Sequence, residues 1–264
     1  MSEKTNRAFL YGESVFTTMR MTDSQVKNWP EHFERLRKGA EFLYGPFPEE
    51  DWGLKLKHRL ELQLEQEKGD RILRLALYLD QEQRSLALSP QHISSLKIHL
   101  KSEPLMPESG LPSLKLRSCA APVRPNWWPA YLKCGQYLES ILARKIFLKP
   151  GDDDLLFLAH DDVVSETTVA NVFVVKNNIL YTSPIGPQVL EGVMRSKILE
   201  IGANYFSGVQ ETASSYEQLL RADVVFVTNS VHGLQLVKSF DDHDLKISDE
   251  WIATLSRLRE KVLA

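Results

Sequence analysis

The chain has 264 residues, 43% of them hydrophobic and 25% charged, which allows one or two packed cores and excludes a disordered or collagen-like protein. Thirty-two basic residues against thirty-five acidic ones leave a formal charge of -3 with no block of one sign, so the expected partner is a small molecule, with no nucleic acid and no membrane surface. Cys119 and Cys134 form no metal-ligand or disulfide pattern, residues 1–7 are polar and the longest apolar runs are short, so the expectation is a cytoplasmic protein without a metal.

In chain order, residues 15–21 (VFTTMRM) follow a turn at Gly12 and predict a strand. Phe33, Leu36, Ala40 and Leu43 recur at helical spacing from Pro30 until Gly45-Pro46, and Trp52, Leu56, Leu60 and Leu64 predict a second helix over 49–67. The period then changes to two over 71–80, 84–89, 95–101 and 113–119, with Leu96, Ile98 and Leu100 the plainest alternation. Strands, two helices and strands describe a smaller α+β lobe over 1–120. Residues 121–129 (APVRPNWWP) hold three prolines and no period, and are the expected linker to a larger lobe over 130–264.

That second lobe is expected to open with a helix in which Tyr137, Leu138, Ile141, Leu142 and Lys145 follow Lys133. Strands are predicted over 154–159, 171–175 and 179–182, the last two joined by the turn Lys176-Asn177-Asn178. Gly192 opens a helix with Met194, Ile198 and Ile201 on its apolar face. A short helix over 215–221 feeds the strand 224–228 (VVFVT), and a last helix is capped by Ser248.

No Walker loop, G-x-G-x-x-G turn, H-E-x-x-H or G-x-S-x-G elbow is present. What remains is a spaced set: Arg35, Lys133, Glu166, the helix start LEGVMR at 190–195 and TNS at 228–230. Read singly, Lys133 is a solvated helix lysine, Glu166 a turn glutamate, Arg35 a surface arginine, Tyr137 a core aromatic and Ser230 a strand-end residue. The start Gly192-Val193-Met194 has a meaning of its own, because free amides at the positive end of a helix bind phosphate without a special side chain.

Taken together, VFTTMR, HFERL, LKCGQYLES, VVSETTVANVFVV, LEGVMRSKILE and FVTNSVHGLQLV, in that order over nearly the whole chain, resemble the class IV pyridoxal-phosphate enzymes. These comprise branched-chain aminotransferase, D-amino acid aminotransferase and aminodeoxychorismate lyase. The resemblance implies an α+β, two-domain fold of fold type IV, like that of D-amino acid aminotransferase, with pyridoxal 5'-phosphate as cofactor and a homodimer as the assembly. Such chemistry wants a lysine amine, an acid beside the pyridine nitrogen and a seat for a dianionic phosphate.

By this resemblance Lys133 is the lysine that holds the cofactor and then moves the Cα proton, and Glu166 pairs with the pyridinium nitrogen. The amides of Val193 and Met194 seat the phosphate together with Arg35 and Ser230. Leu190 packs on the ring, and Tyr137 reaches the ring oxygen. The pair Thr17-Thr18 resembles the lyase, in which the second threonine, Thr18, is a proton relay; the aminotransferases carry acidic or small residues there. Taken alone, Thr18 is a strand threonine chosen for its shape. The short length and the VMR at the helix start are also lyase-like. Three departures bear on the substrate pocket: a shortened N-terminal strand pair, DQEQRS where a turn rich in glycine and arginine is expected after Leu79, and Gln136 where the family has asparagine. The expected activity is cleavage of 4-amino-4-deoxychorismate to 4-aminobenzoate and pyruvate, a step of folate biosynthesis. The alternative is an aminotransferase acting on branched-chain or D-amino acids. A catalytically silent binding protein is the third reading, and the intact Lys133 and Glu166 weigh against it.

Overall fold

A computed structural model describes residues 6–46, 52–65, 67, 69–80, 96–120 and 127–264; the strand expected over 84–89 lies outside them. The chain divides into two compact units, Met1–Met106 with Tyr131–Tyr137, and Pro107–Ala130 with Leu138–Ala264.

The first unit contains α1 (Arg7–Tyr11), β1 (Ser14–Thr22), β2 (Gln25–Val26), α2 (Trp29–Tyr44), α3 (Trp52–Leu64), β3 (Arg71–Leu79) and β4 (Leu96–Pro104). The sheet runs β2-β1-β3-β4, antiparallel throughout. Alternation gives it two different faces. Val15, Thr17, Met19 and Met21 of β1 and Leu73, Leu75 and Leu77 of β3 are buried, as are Leu36 and Ala40 of α2 and Leu56, Leu60 and Leu64 of α3. Gly39 lets α2 lie close to the sheet, since a Cβ there would stand 3.1 Å from Val15 Cγ1. The opposite face carries Phe16, Thr18, Arg20 and Arg74.

The remaining edge of β1 is covered from far along the chain. Phe16 N donates to Lys133 O and Gly135 N to Ser14 O, both at 2.9 Å, and Val15 bridges Cys134. Lys133 is therefore on an extended strip that pairs with β1, and the helix expected to run on from it begins only at Leu138. Tyr137 precedes that helix. The helical spacing is real from Leu138 onward; four residues earlier the backbone donors and acceptors are taken by a strand.

The second unit contains β5 (Ser113–Ala120), α4 (Leu138–Phe147), β6 (Asp154–Leu158), β7 (Val164–Thr167), β8 (Asn171–Lys176), β9 (Ile179–Thr182), α5 (Val193–Ile201), β10 (Gly208–Glu211), α6 (Tyr216–Leu220), β11 (Val224–Asn229), β12 (Gly233–Phe240), β13 (His243–Asp244) and α7 (Asp249–Leu263). Strands follow the order β10-β9-β8-β11-β12-β5-β6-β7, and β7 pairs back with β8, so six strands from β8 to β7 close a ring. Successive residues of β8 and β11 serve different cores. Phe173, Val175, Val224 and Phe226 pack with α5 and α7, whereas Val172, Val174, Val225 and Val227 pack with Leu116, Leu156 and Phe240. Burial on both faces is why these strands read as unbroken apolar runs. The Phe173 and Phe226 rings stack at 5.1 Å.

β5 lies in this second sheet, parallel to β12 and β6, and not in the lobe over 1–120 where its alternation had placed it. Alternation reports a strand but not its sheet. Glu166 sits within β7 and not in a turn between strands. Burial pushes the Cys119 thiol up to about 11, with Asp154 and Asp241 adding to it. Among the described residues no helix is long and apolar enough to cross a membrane, and no three His, Cys, Asp or Glu side chains gather as metal ligands.

Candidate active site

In the first unit the strip bearing Lys133 places its side chain against β1. Lys133 Nζ donates to Tyr137 Oη at 2.7 Å and lies 4.7 Å from the centre of the Phe16 ring. The Phe16 and Tyr137 rings are 5.5 Å apart, so an amine, a phenol and an apolar wall share one place. A second cation joins them: the exposed Arg74 holds its guanidinium 3.7 Å over the Phe16 ring. Arg74 is also the register partner of Thr18 across the sheet. Two cations beside one aromatic favour an anionic guest. Arg74 escapes a reading of the sequence because an arginine alternating with leucines looks like a solvated strand position.

The two threonines part company here. Thr18 lies on the same face of β1 as Phe16 and is half-buried. Thr17 points the other way and is buried, with its Oγ1 2.7 Å from His32 Nδ1 and accepting from Arg35 Nη2 at 3.1 Å. Arg35 is thus on the helix-covered side of β1, 8% exposed.

In the second unit the ends of three strands meet in one cross-strand row, Glu166 beside Asn171 beside Thr228. Glu166 Oε2 accepts from Leu190 N at 2.9 Å, and Asn171 Nδ2 donates to Leu190 O at the same distance. Leu190 is therefore gripped at both backbone groups, which fixes the chain leading into α5. Two residues on, a Cβ on Gly192 would come within 2.1 Å of Asn171 Oδ1, so only glycine fits. Asn171 is absent from the expected site, although a buried asparagine heading the apolar run NVFVV is a signal.

α5 starts at Val193 with no side chain capping its first amides among the described residues, and Val193 and Met194 are buried. The row's other polar group, the Thr228 hydroxyl, is buried and has no hydrogen-bond partner among the described residues. Ser230 follows two residues later in a turn held by Asn229, whose Oδ1 accepts from Val231 N and His232 N at 3.0 and 2.9 Å. Glu108 meets both His232 and Arg259, which ties this turn to α7. Lys133, Tyr137, Thr18 and Arg35 thus belong to the first unit, and Glu166, Leu190, Val193, Met194 and Ser230 to the second.

The donor set fits pyridoxal phosphate. The uncapped start of α5 behind an obligatory glycine suits a phosphate, the orphaned Thr228 hydroxyl marks a polar recess, and a carboxylate held by an amide suits a protonated ring nitrogen.

The family model of amino-transferase class IV matches residues 14–240. A Rickettsia bellii protein named "Probable branched-chain-amino-acid aminotransferase" is 30% identical over 247 residues, 90% of this chain and 81% of that one. The aminodeoxychorismate lyase of Vibrio harveyi is 26% identical, over 92% and 88% of the two chains. In fold, the solved structure of the 4-amino-4-deoxychorismate lyase from Pseudomonas aeruginosa aligns with a TM-score of 0.82 at 22% identity, covering 100% of this chain and 96% of that one.

Proposed function

The chain belongs to the class IV aminotransferase family, whose members depend on pyridoxal phosphate, and within it we propose a 4-amino-4-deoxychorismate lyase that releases 4-aminobenzoate and pyruvate. The observation that carries this reading is the split threonine pair. Thr18 is half-buried on the face of β1 that carries Phe16 and Arg74, whereas Thr17 is buried on the other face.

Bound, pyridoxal phosphate supplies an aldehyde carbon for the substrate amine and a ring that takes up negative charge. Lys133 would hold the cofactor and take the substrate Cα proton at Nζ, its direction set by Tyr137 Oη. Glu166 keeps the ring nitrogen protonated, its carboxylate oriented by Leu190 N. The amides of Val193 and Met194, Arg35 and Ser230 would seat the phosphate, and Leu190 would pack against the ring. Arg74 receives a substrate carboxylate. Thr18 delivers or relays the proton at the departing three-carbon side, so that the atoms of one substrate divide into 4-aminobenzoate and pyruvate. We further propose a homodimer working in the cytoplasm, its product serving folate synthesis.

The second reading, an aminotransferase on branched-chain or D-amino acids, is favoured by the name of the Rickettsia bellii relative. It shares the first steps and needs no relay at Thr18. Incubation with aminodeoxychorismate should release 4-aminobenzoate, while an amino acid with 2-oxoglutarate should exchange no amino group; the reverse result overturns the lyase. Borohydride should fix the cofactor on the peptide containing Lys133, and Lys133→Ala should lose colour and activity. Thr18→Val should keep colour and fold yet lose about a hundredfold in 4-aminobenzoate release. Full lyase activity in that variant would leave Thr18 an ordinary strand residue.

A further inference from the structure

The face of β1 that packs under α2 is apolar at Val15, Met19 and Met21, and all three are buried. Thr17 breaks that pattern with a hydroxyl on a residue that is 0% exposed. A valine would have the same shape at no polar cost, so the hydroxyl calls for a reason. Its neighbours are two polar side chains one helical turn apart on α2, His32 at 1% exposure and Arg35 at 8%.

Both meet the same atom, Thr17 Oγ1. Arg35 can only donate, and its Nη2 donates to Thr17 Oγ1 at 3.1 Å. Thr17 has a single proton to give, and His32 Nδ1 stands 2.7 Å from the oxygen. Thr17 gives that proton to His32 when the ring hydrogen is on Nε2 and accepts a second bond when it is on Nδ1, and in both cases Thr17 Oγ1 links Arg35 to His32. This link holds the plane of the guanidinium, which a flexible arginine side chain otherwise leaves free to rotate.

We propose that Thr17 and His32 are positioning residues that pre-set the Arg35 guanidinium for the cofactor phosphate. The inference rests on the assignment of Arg35 to the phosphate. It gives the first threonine of the pair a task separate from that of Thr18, and it explains why a helix histidine three residues before the arginine is buried and polar. Adjacent residues of β1 thereby support two of the groups assigned to the cofactor, Phe16 through its amide to the Lys133 strip and Thr17 through its hydroxyl to Arg35.

The test measures binding of pyridoxal 5'-phosphate and of pyridoxal, which lacks the phosphate, to the apoprotein by absorbance titration. Thr17→Val should weaken pyridoxal phosphate about tenfold or more, as loss of a bond to a charged group does, and leave pyridoxal unchanged. Thr17→Ser, which keeps the hydroxyl, should restore the affinity, and His32→Phe should show a smaller loss of the same phosphate-specific kind. If Thr17→Val does not fold, Thr17→Ala carries the same comparison. Arg35→Ala separates the two levels. If it weakens pyridoxal phosphate while the Thr17 variants do not, the positioning role falls and the assignment of Arg35 stands. If Arg35→Ala changes nothing, both fall. Equal losses for both ligands in the Thr17 variants would reduce Thr17 to a packing residue.

Discussion

A carboxylate that accepts from a backbone amide keeps both its charge and its direction, and Glu166 does so through Leu190 N at 2.9 Å. Glutamine has the same shape and can accept the same bond, but a neutral amide does not hold a proton on a neighbouring ring nitrogen. Glu166→Gln should therefore bind pyridoxal phosphate with near-normal affinity and turn over more slowly, by on the order of a hundredfold. Single-turnover rates beside a cofactor titration check this, and unchanged turnover would move Glu166 out of the role. At this scale, Lys133 and Glu166 can be singled out because each sits in a run of several matched residues. Arg74 and Asn171 cannot. Arg74 gains its meaning from Phe16 on another strand, and Asn171 from contacts to Leu190 and Gly192 well along the chain, and neither contact leaves a local pattern.

α4 turns an apolar side outward: Leu138, Ile141, Leu142, Ile146 and Phe147 are all exposed, with Ile146 at 68%. A row of this kind on a ten-residue helix costs solubility unless another surface meets it. We place the contact of the proposed homodimer on this face. Light scattering should give the mass of a dimer, and Ile141→Glu with Ile146→Glu should shift it to monomer at low micromolar concentration without loss of helix content. A monomeric parent protein would remove the dimer. The helices α2, α5 and α7 are readable from the residues alone by their spacing, and β11 as an unbroken apolar run. β12 is not, because its register slips between Val237 and Ser239 and breaks the period of two. Lys133, Cys134 and Gly135 mislead for another reason, since nothing nearby announces that they will pair with β1.

Over the whole molecule the chain crosses between the two units more than once, and the first unit is completed only by Tyr131–Tyr137. Order of synthesis then becomes order of assembly. β1 leaves the ribosome early with the amide of Phe16 and the carbonyl of Ser14 unsheathed, and their partners, Lys133 O and Gly135 N, arrive after all of β3, β4 and β5. A fragment ending at Met106 should accordingly show fast amide exchange at Phe16 and a tendency to associate. The same fragment with residues 131–137 joined through a short glycine linker should protect that amide, and equal exchange in the two would contradict the point. The strip that closes the strand edge is also the one that carries the reactive lysine, so a nascent chain shields its first sheet and acquires its lysine in a single event.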